Sequence, residues 1–190
     1  EAMAILAGDG LLNFAYETAA LAFQMEPQNV RVGEAFAVLA KKAGIYGMVG
    51  GQTVDVQTDK GEEITREKLD FIYRLKTSAL IEASMLVGAI LAGASKEAQD
   101  IIAQVAGEIG LAFQIQDDVL DVTSTMEVLG KPIGSDEKNN KATYVTYEGL
   151  DKAKQDVERI SVTAVERLSS LPEKNKFLEQ LLLSLIQREK

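Results

Sequence analysis

The sequence contains no cysteine and no histidine. Without cysteine there is no disulfide framework, no thiolate zinc site and no thiol nucleophile. Without histidine the chain lacks the commonest metal ligand and the usual acid or base near neutral pH. Any chemistry must rest on carboxylates, Lys, Tyr, Ser or Thr, on a hard metal ion, or on the substrate itself. Positive charge is also short. The 20 Lys and Arg against 29 Asp and Glu leave a net charge of −9, which argues against a general nucleic-acid surface. An acidic chain can still hold a polyanion where divalent cations bridge the two. No signal peptide and no transmembrane span is visible. The most apolar run, SALIEASMLVGAILAGA, is interrupted by Glu82 and reads as a buried helix.

What is present is an ordinary apolar fraction, 46% of 190 residues, enough for one globular domain with a sizeable core. The hydrophobic period is helical nearly everywhere, no strand pattern competes, and no fixed repeat stands out. The expected fold is all-α. Ala2 to Met25 is apolar on almost every side, which makes it either a central helix or one facing two partners, and a subunit interface is expected there. Val32 to about Gln57 forms a second segment containing Gly44, Gly47, Gly50 and Gly51. Each glycine costs a helix roughly 1 kcal/mol, and makes sense where another backbone or a ligand comes close. A third segment runs from Ile64 to Gly93 with Thr65 as its N-cap, and a fourth from Glu97 to about Thr123. EVLGKPIGSDEKNNKATY then reads as a polar loop too long for a simple connection. An exposed amphipathic helix over Gly149 to Leu171 is closed by Pro172, and Asn175 to Glu189 forms a last short helix.

Four constellations carry chemistry. In FQIQDDVLD, Asp117 and Asp121 are one turn apart on one helix face, where like charges repel and a bare helix is destabilised. A divalent cation between them would reverse the sign. Oxygen-only ligands favour Mg²⁺, which takes one or two carboxylates alongside water and phosphate oxygens. Gln114, three residues earlier, points to the same side; the alternative is a solvated helix end. In YRLKTSALIEAS, Lys76 and Thr77 fall mid-helix among apolar neighbours, and a buried Lys needs a counter-charge unless it snorkels to the surface. In GKPIGSDEKNNK, Lys131, Lys138 and Lys141 could anchor phosphate oxygens or simply face water. In GGQTVD, Gln52 and Asp55 lie at i and i+3 after paired glycines, either behind a site or at a bland helix end.

Taken together, FQIQDDVLDVT followed by LGKPIGSDEKNNKATYV resembles the second aspartate-rich motif and following loop of the trans-isoprenyl diphosphate synthases. GMVGGQTVDV and FIYRLKTSALIEAS resemble that family too, in the right order and over essentially the whole chain, most closely its bacterial farnesyl diphosphate synthases. The resemblance implies an isoprenoid-synthase-type helical bundle around a central cavity, in a cytoplasmic, homodimeric enzyme. That enzyme would join an allylic diphosphate to isopentenyl diphosphate head to tail with Mg²⁺. It implies that Asp117 and Asp121 bind Mg²⁺ with Asp118 beside them, and that Lys76, Thr77, Gln114, Lys131 and Lys141 contact the allylic diphosphate. Lys76, Asp117 and Lys131 would be catalytic, Phe113 would sit by the homoallylic substrate, and Gln52 and Asp55 would support the site from behind.

The family's first DDxxD motif, and most of the basic residues that hold isopentenyl diphosphate, fall upstream of the segment matching Glu1. The expectation is therefore that residues 1–190 are the C-terminal part of a single helical domain, without its N-terminal helices and inactive by themselves. Two other readings share the fold. A non-catalytic partner subunit would tend to lose its aspartates, yet DDVLD is intact. A terpene cyclase would carry an Asn/Asp-Ser/Thr-Glu pattern on this helix, and none appears.

Overall fold

The computed structural model describes residues 2–58, 64–124 and 143–186. These form helices α1 (Ala2–Ala20), α2 (Ala22–Met25), α3 (Val30–Ala43), α4 (Met48–Thr58), α5 (Arg66–Lys76) and α6 (Ser78–Ala92). The order continues with α7 (Lys96–Thr123), α8 (Tyr144–Glu148), α9 (Leu150–Leu168) and α10 (Lys176–Ile186). No strand occurs among the described residues. Local chemistry sets several of the starts. Asn29, Thr65 and Ser95 each accept an orphan amide of the first turn, from Arg31, Lys68 and Ala98 respectively. Gly93 takes φ 79° to close α6, and its amide returns to Ala89 and Ile90.

The bundle is organised around α7. Val105, Ile109, Ala112 and Ile115 recur at helical spacing and are wholly excluded from solvent, each isoleucine contributing about 1.5–3 kcal/mol by burial. One side of α7 packs on α9 and another on α6; α3 lies against α6, and α4 against α5. Arg167 of α9 adds a polar clasp to Glu108 and Gln104 of α7.

Several sequence boundaries need correcting. The Ala2–Met25 segment breaks at Leu21, and none of its residues is buried. The second segment splits at residues 44–47, where the chain winds so tightly that a Cβ on Gly47 would fall 1.9 Å from the Lys42 carbonyl oxygen. The third segment splits at Thr77, because α4 and α7 both crowd the chain there. A Cβ on Gly51 would lie 2.4 Å from the Lys76 nitrogen, and one on Gly110 would lie 2.3 Å from Ser78 Oγ. Lys76 and Thr77 therefore sit at a helix junction, not in mid-helix.

The helix after Gly149 is less exposed than expected, since α9 buries seven residues, Asp156 among them. Tyr144, read as the end of the polar loop, instead opens a helical turn, Tyr144–Glu148, begun by a capping box between Thr143 and Thr146. By length and composition alone, Arg66–Ala92 could cross a membrane. In the fold it is interrupted at Thr77, and α6 packs between α3 and α7. Only Ser78, Ala79, Ala83 and Ile90 of α6 are fully buried.

Candidate functional site

Three aspartates occupy the last two turns of α7, and no basic residue accompanies them. Negative charge is disfavoured at a helix C-terminus, where the carbonyl ends already carry partial negative charge. Each carboxylate must therefore find compensation from outside the helix. Asp118 is buried and receives two donors on Oδ2, the Tyr73 hydroxyl and the Tyr144 amide, the latter at 2.7 Å. Asp121 is 4% exposed. Asp117 is half-buried and faces a cavity.

That cavity encloses about 130 Å³ between α4, α5 and α7. Ile64, Leu69 and Ile72 give it an apolar side, and Asp55, Lys76, Gln114, Asp117, Asp118 and Thr143 give it a polar one. Lys76 does not snorkel away. Its Nζ lies 2.5 Å from Asp55 Oδ2, with the Asp55 side chain almost wholly buried and the Lys76 side chain about one-third exposed. Thr77, at the junction, donates its hydroxyl to Gln114 Oε1. Residues 55, 76 and 114 thus converge from three helices, although they are remote in sequence.

Gln52 is half-buried about one turn before Asp55, and Phe113 is half-buried on α7. Neither lines the cavity, and neither do Thr77 and Asp121. Lys131, Lys138 and Lys141 lie outside the described residues. Among the described residues, no group of three or more Asp, Glu, His or Cys side chains converges to hold a metal ion.

The sequence did not point to a network behind the cavity. The Tyr144 amide also lies 3.1 Å from the Tyr73 hydroxyl oxygen, and the Tyr144 hydroxyl donates to Asp156 Oδ2 at 3.0 Å. Asp156 Oδ1 accepts from Lys152 and Arg159, each at 2.9 Å. Burial pushes the Asp156 carboxyl up, but the hydrogen bonds from Lys152, Arg159 and Tyr144 prevail and hold it at about 2. Burial and the bond to Asp156 raise the Tyr144 phenol, against the opposing Arg66 guanidinium. That guanidinium stands 4.7 Å from the Tyr144 ring centroid and is itself paired with Asp70 and Glu148. The one signal for this network in the sequence is Asp156, which falls on the apolar face of α9.

A helix pair broken at Lys76-Thr77 lies against a long carboxylate-bearing helix in an all-α bundle. The Polyprenyl synthetase family matches residues 1–181, and the chain belongs to that family. It is 42% identical over 168 residues to a geranylgeranyl diphosphate synthase of Cyanophora paradoxa, covering 88% of this chain and 56% of that protein. It is also 42% identical over 156 residues to a farnesyl diphosphate synthase of Geobacillus stearothermophilus, covering 82% and 52%. The chain spans about half the length of these curated relatives. Its fold is similar to a Helicobacter pylori geranyltransferase crystallised with magnesium and isoprenyl diphosphate. That likeness has a TM-score of 0.80 and 28% identity, over 98% of this chain and 60% of that one.

Proposed function

We propose that this chain carries the allylic-diphosphate side of the catalytic site of a short-chain prenyltransferase. The enzyme would condense an allylic diphosphate with isopentenyl diphosphate to give farnesyl diphosphate or a product of similar length. The observation that carries the reading is the broken α5–α6 junction. It delivers Lys76 to one cavity with Gln114 and Asp117, and Thr77 to Gln114. Named relatives making farnesyl and geranylgeranyl diphosphates support the substrate class.

In the proposed reaction the allylic C–O bond breaks and diphosphate leaves with the electron pair. The isopentenyl double bond then attacks the allylic carbon, and a proton is lost to the departing diphosphate. Lys76 offers N–H donors and positive charge to the developing diphosphate, where preorganised charge lowers a barrier most. Gln114 offers its amide N–H to the same group, its oxygen held by the Thr77 hydroxyl behind it. The apolar side of the cavity restricts water near the allylic carbon.

Of the two carboxylates expected to hold Mg²⁺, Asp117 faces the cavity, whereas Asp121 is 4% exposed and does not line it. A Mg²⁺ in the cavity would take the Asp117 carboxylate, with the remaining positions left to water and phosphate oxygens. Such an ion, when bound, supplies neutralising charge to the leaving diphosphate, and the Helicobacter relative's magnesium complex supports the assignment. Asp118, tied to Tyr73 and Tyr144, is better suited to positioning than to ligation. Lys131 and Lys141 are proposed from sequence alone as further diphosphate contacts, and Phe113 as a neighbour of the second substrate. The exposed apolar α1 supports a homodimer.

Lys76→Met in the intact protein tests the reading. Loss of an aimed cation should lower kcat about a hundredfold and raise KM for the allylic diphosphate. The variant also removes a counter-ion from Asp55, so it is assayed well below its own melting temperature. Unchanged kinetics would sink the assignment.

A further inference from the structure

We infer that Tyr144 and Asp156 are positioning residues for the carboxylate wall of the cavity, acting through Asp118 and not on substrate. The inference rests on the proposed prenyl-transfer reading. It starts from a cost. Asp156 is 3% exposed on a helix face that otherwise carries Ala153, Val157, Ile160 and Ala164, and an ionised carboxylate there is expensive unless fully partnered. Lys152 and Arg159 fill Oδ1, while Oδ2 accepts the Tyr144 hydroxyl. Replacing the four polar side chains with apolar ones would pack α9 at no such cost, so the network has a use beyond holding α9.

Its other end shows that use. Tyr144 is the first residue of α8, and the amide at that position has no partner within the helix. It donates to Asp118 Oδ2 instead, at 2.7 Å. The tyrosine is held at three points: its backbone by Asp118, its phenol by Asp156, and its ring face by Arg66. Sliding or rotation of the ring would break at least one of them. Asp118 is thereby fixed from two sides, by Tyr144 and by Tyr73 of α5. The neighbouring Asp117 is held on the turn that faces the cavity, and Thr143 stays in the cavity wall. Asp156 itself does not line the cavity and, among the described residues, is linked to it through Tyr144 and Asp118.

The test is Tyr144→Phe in the intact protein, which removes one oxygen and keeps the ring beside Arg66. The expected result is a kcat lower by about tenfold. Affinity for inorganic diphosphate, titrated calorimetrically with Mg²⁺ present, should fall by a similar factor, while the melting temperature moves by less than about 3 °C. Asp156→Asn should act in the same direction, and the double variant should be no worse than the more damaging single one, because both cut one link. Normal kcat and normal diphosphate affinity in Tyr144→Phe would overturn the inference, whatever happens to the melting temperature. If the unmutated protein does not condense the two diphosphates, the functional reading falls, and the diphosphate titration still decides the positioning role.

Discussion

A buried carboxylate survives only in company, and Asp156 keeps more of it than any single stabilising role requires. Its folded pKa of about 2 lies below the ordinary 3.8, so the ionised form stabilises the fold above about pH 4. That contribution is lost as pH falls from about 4 to 2. Lys152 and Arg159 are at least half exposed, so solvent screening trims the gain to about 1 kcal/mol. Acid melts of the unmutated protein and Asp156→Asn should therefore differ at pH 5 and converge towards pH 2. A constant gap across that range would contradict the assignment. The sequence singled out Lys76, Gln114 and Asp117, which the fold brings to one cavity, because charged and amide groups inside apolar helices demand an explanation. It left the role of Tyr73 unread, since its partner Asp118 is 45 residues away and no local period joins them. The buried partner of Lys76 was half legible: Asp55 was singled out, but as support behind the site and not as the lysine's counter-ion.

At the scale of elements, the N-cap at Thr65 and the long α7 were readable from local signals. The break at Thr77 was not. Nothing within KTSAL interrupts a helix; the interruption comes from the backbones of α4 and α7, which reach the junction only because Gly51 and Gly110 lack side chains. A tertiary approach of this kind leaves a glycine in one helix and its effect in another. Gly110→Ala should force α6 and α7 apart around Ser78 and cost about 1–3 kcal/mol, with activity falling further than stability as Lys76 and Thr77 move. Thermal melts together with kcat would show it. An alanine variant of normal stability and turnover would mean that the junction tolerates wider spacing and does not set the site.

For the whole molecule, the first segment was read as central or as facing two partners, and within one chain α1 packs on α2 and α3. The α1 helix carries the expected apolar residues, but Met3, Ile5, Leu6, Leu11 and Phe14 all face solvent, at 62–76% exposure. Contact with the rest of the fold includes Tyr16 and, from α2, Phe23, both set edge-on against Phe36 of α3. We expect a second copy to cover the face, so Phe14→Glu in the intact protein should shift light scattering from dimer to monomer and leave the cavity intact. An unmutated protein that scatters as a monomer at all concentrations would refute the dimer. The bare α1 has a further consequence. A helix of 19 residues with two internal glycines is marginal by itself in water, and here none of its residues is fully buried. Its amide protons should then exchange with solvent long before those of α7, unless a partner is in place. If a second copy covers α1, its folding would be coupled to assembly, and the melting point would rise with protein concentration.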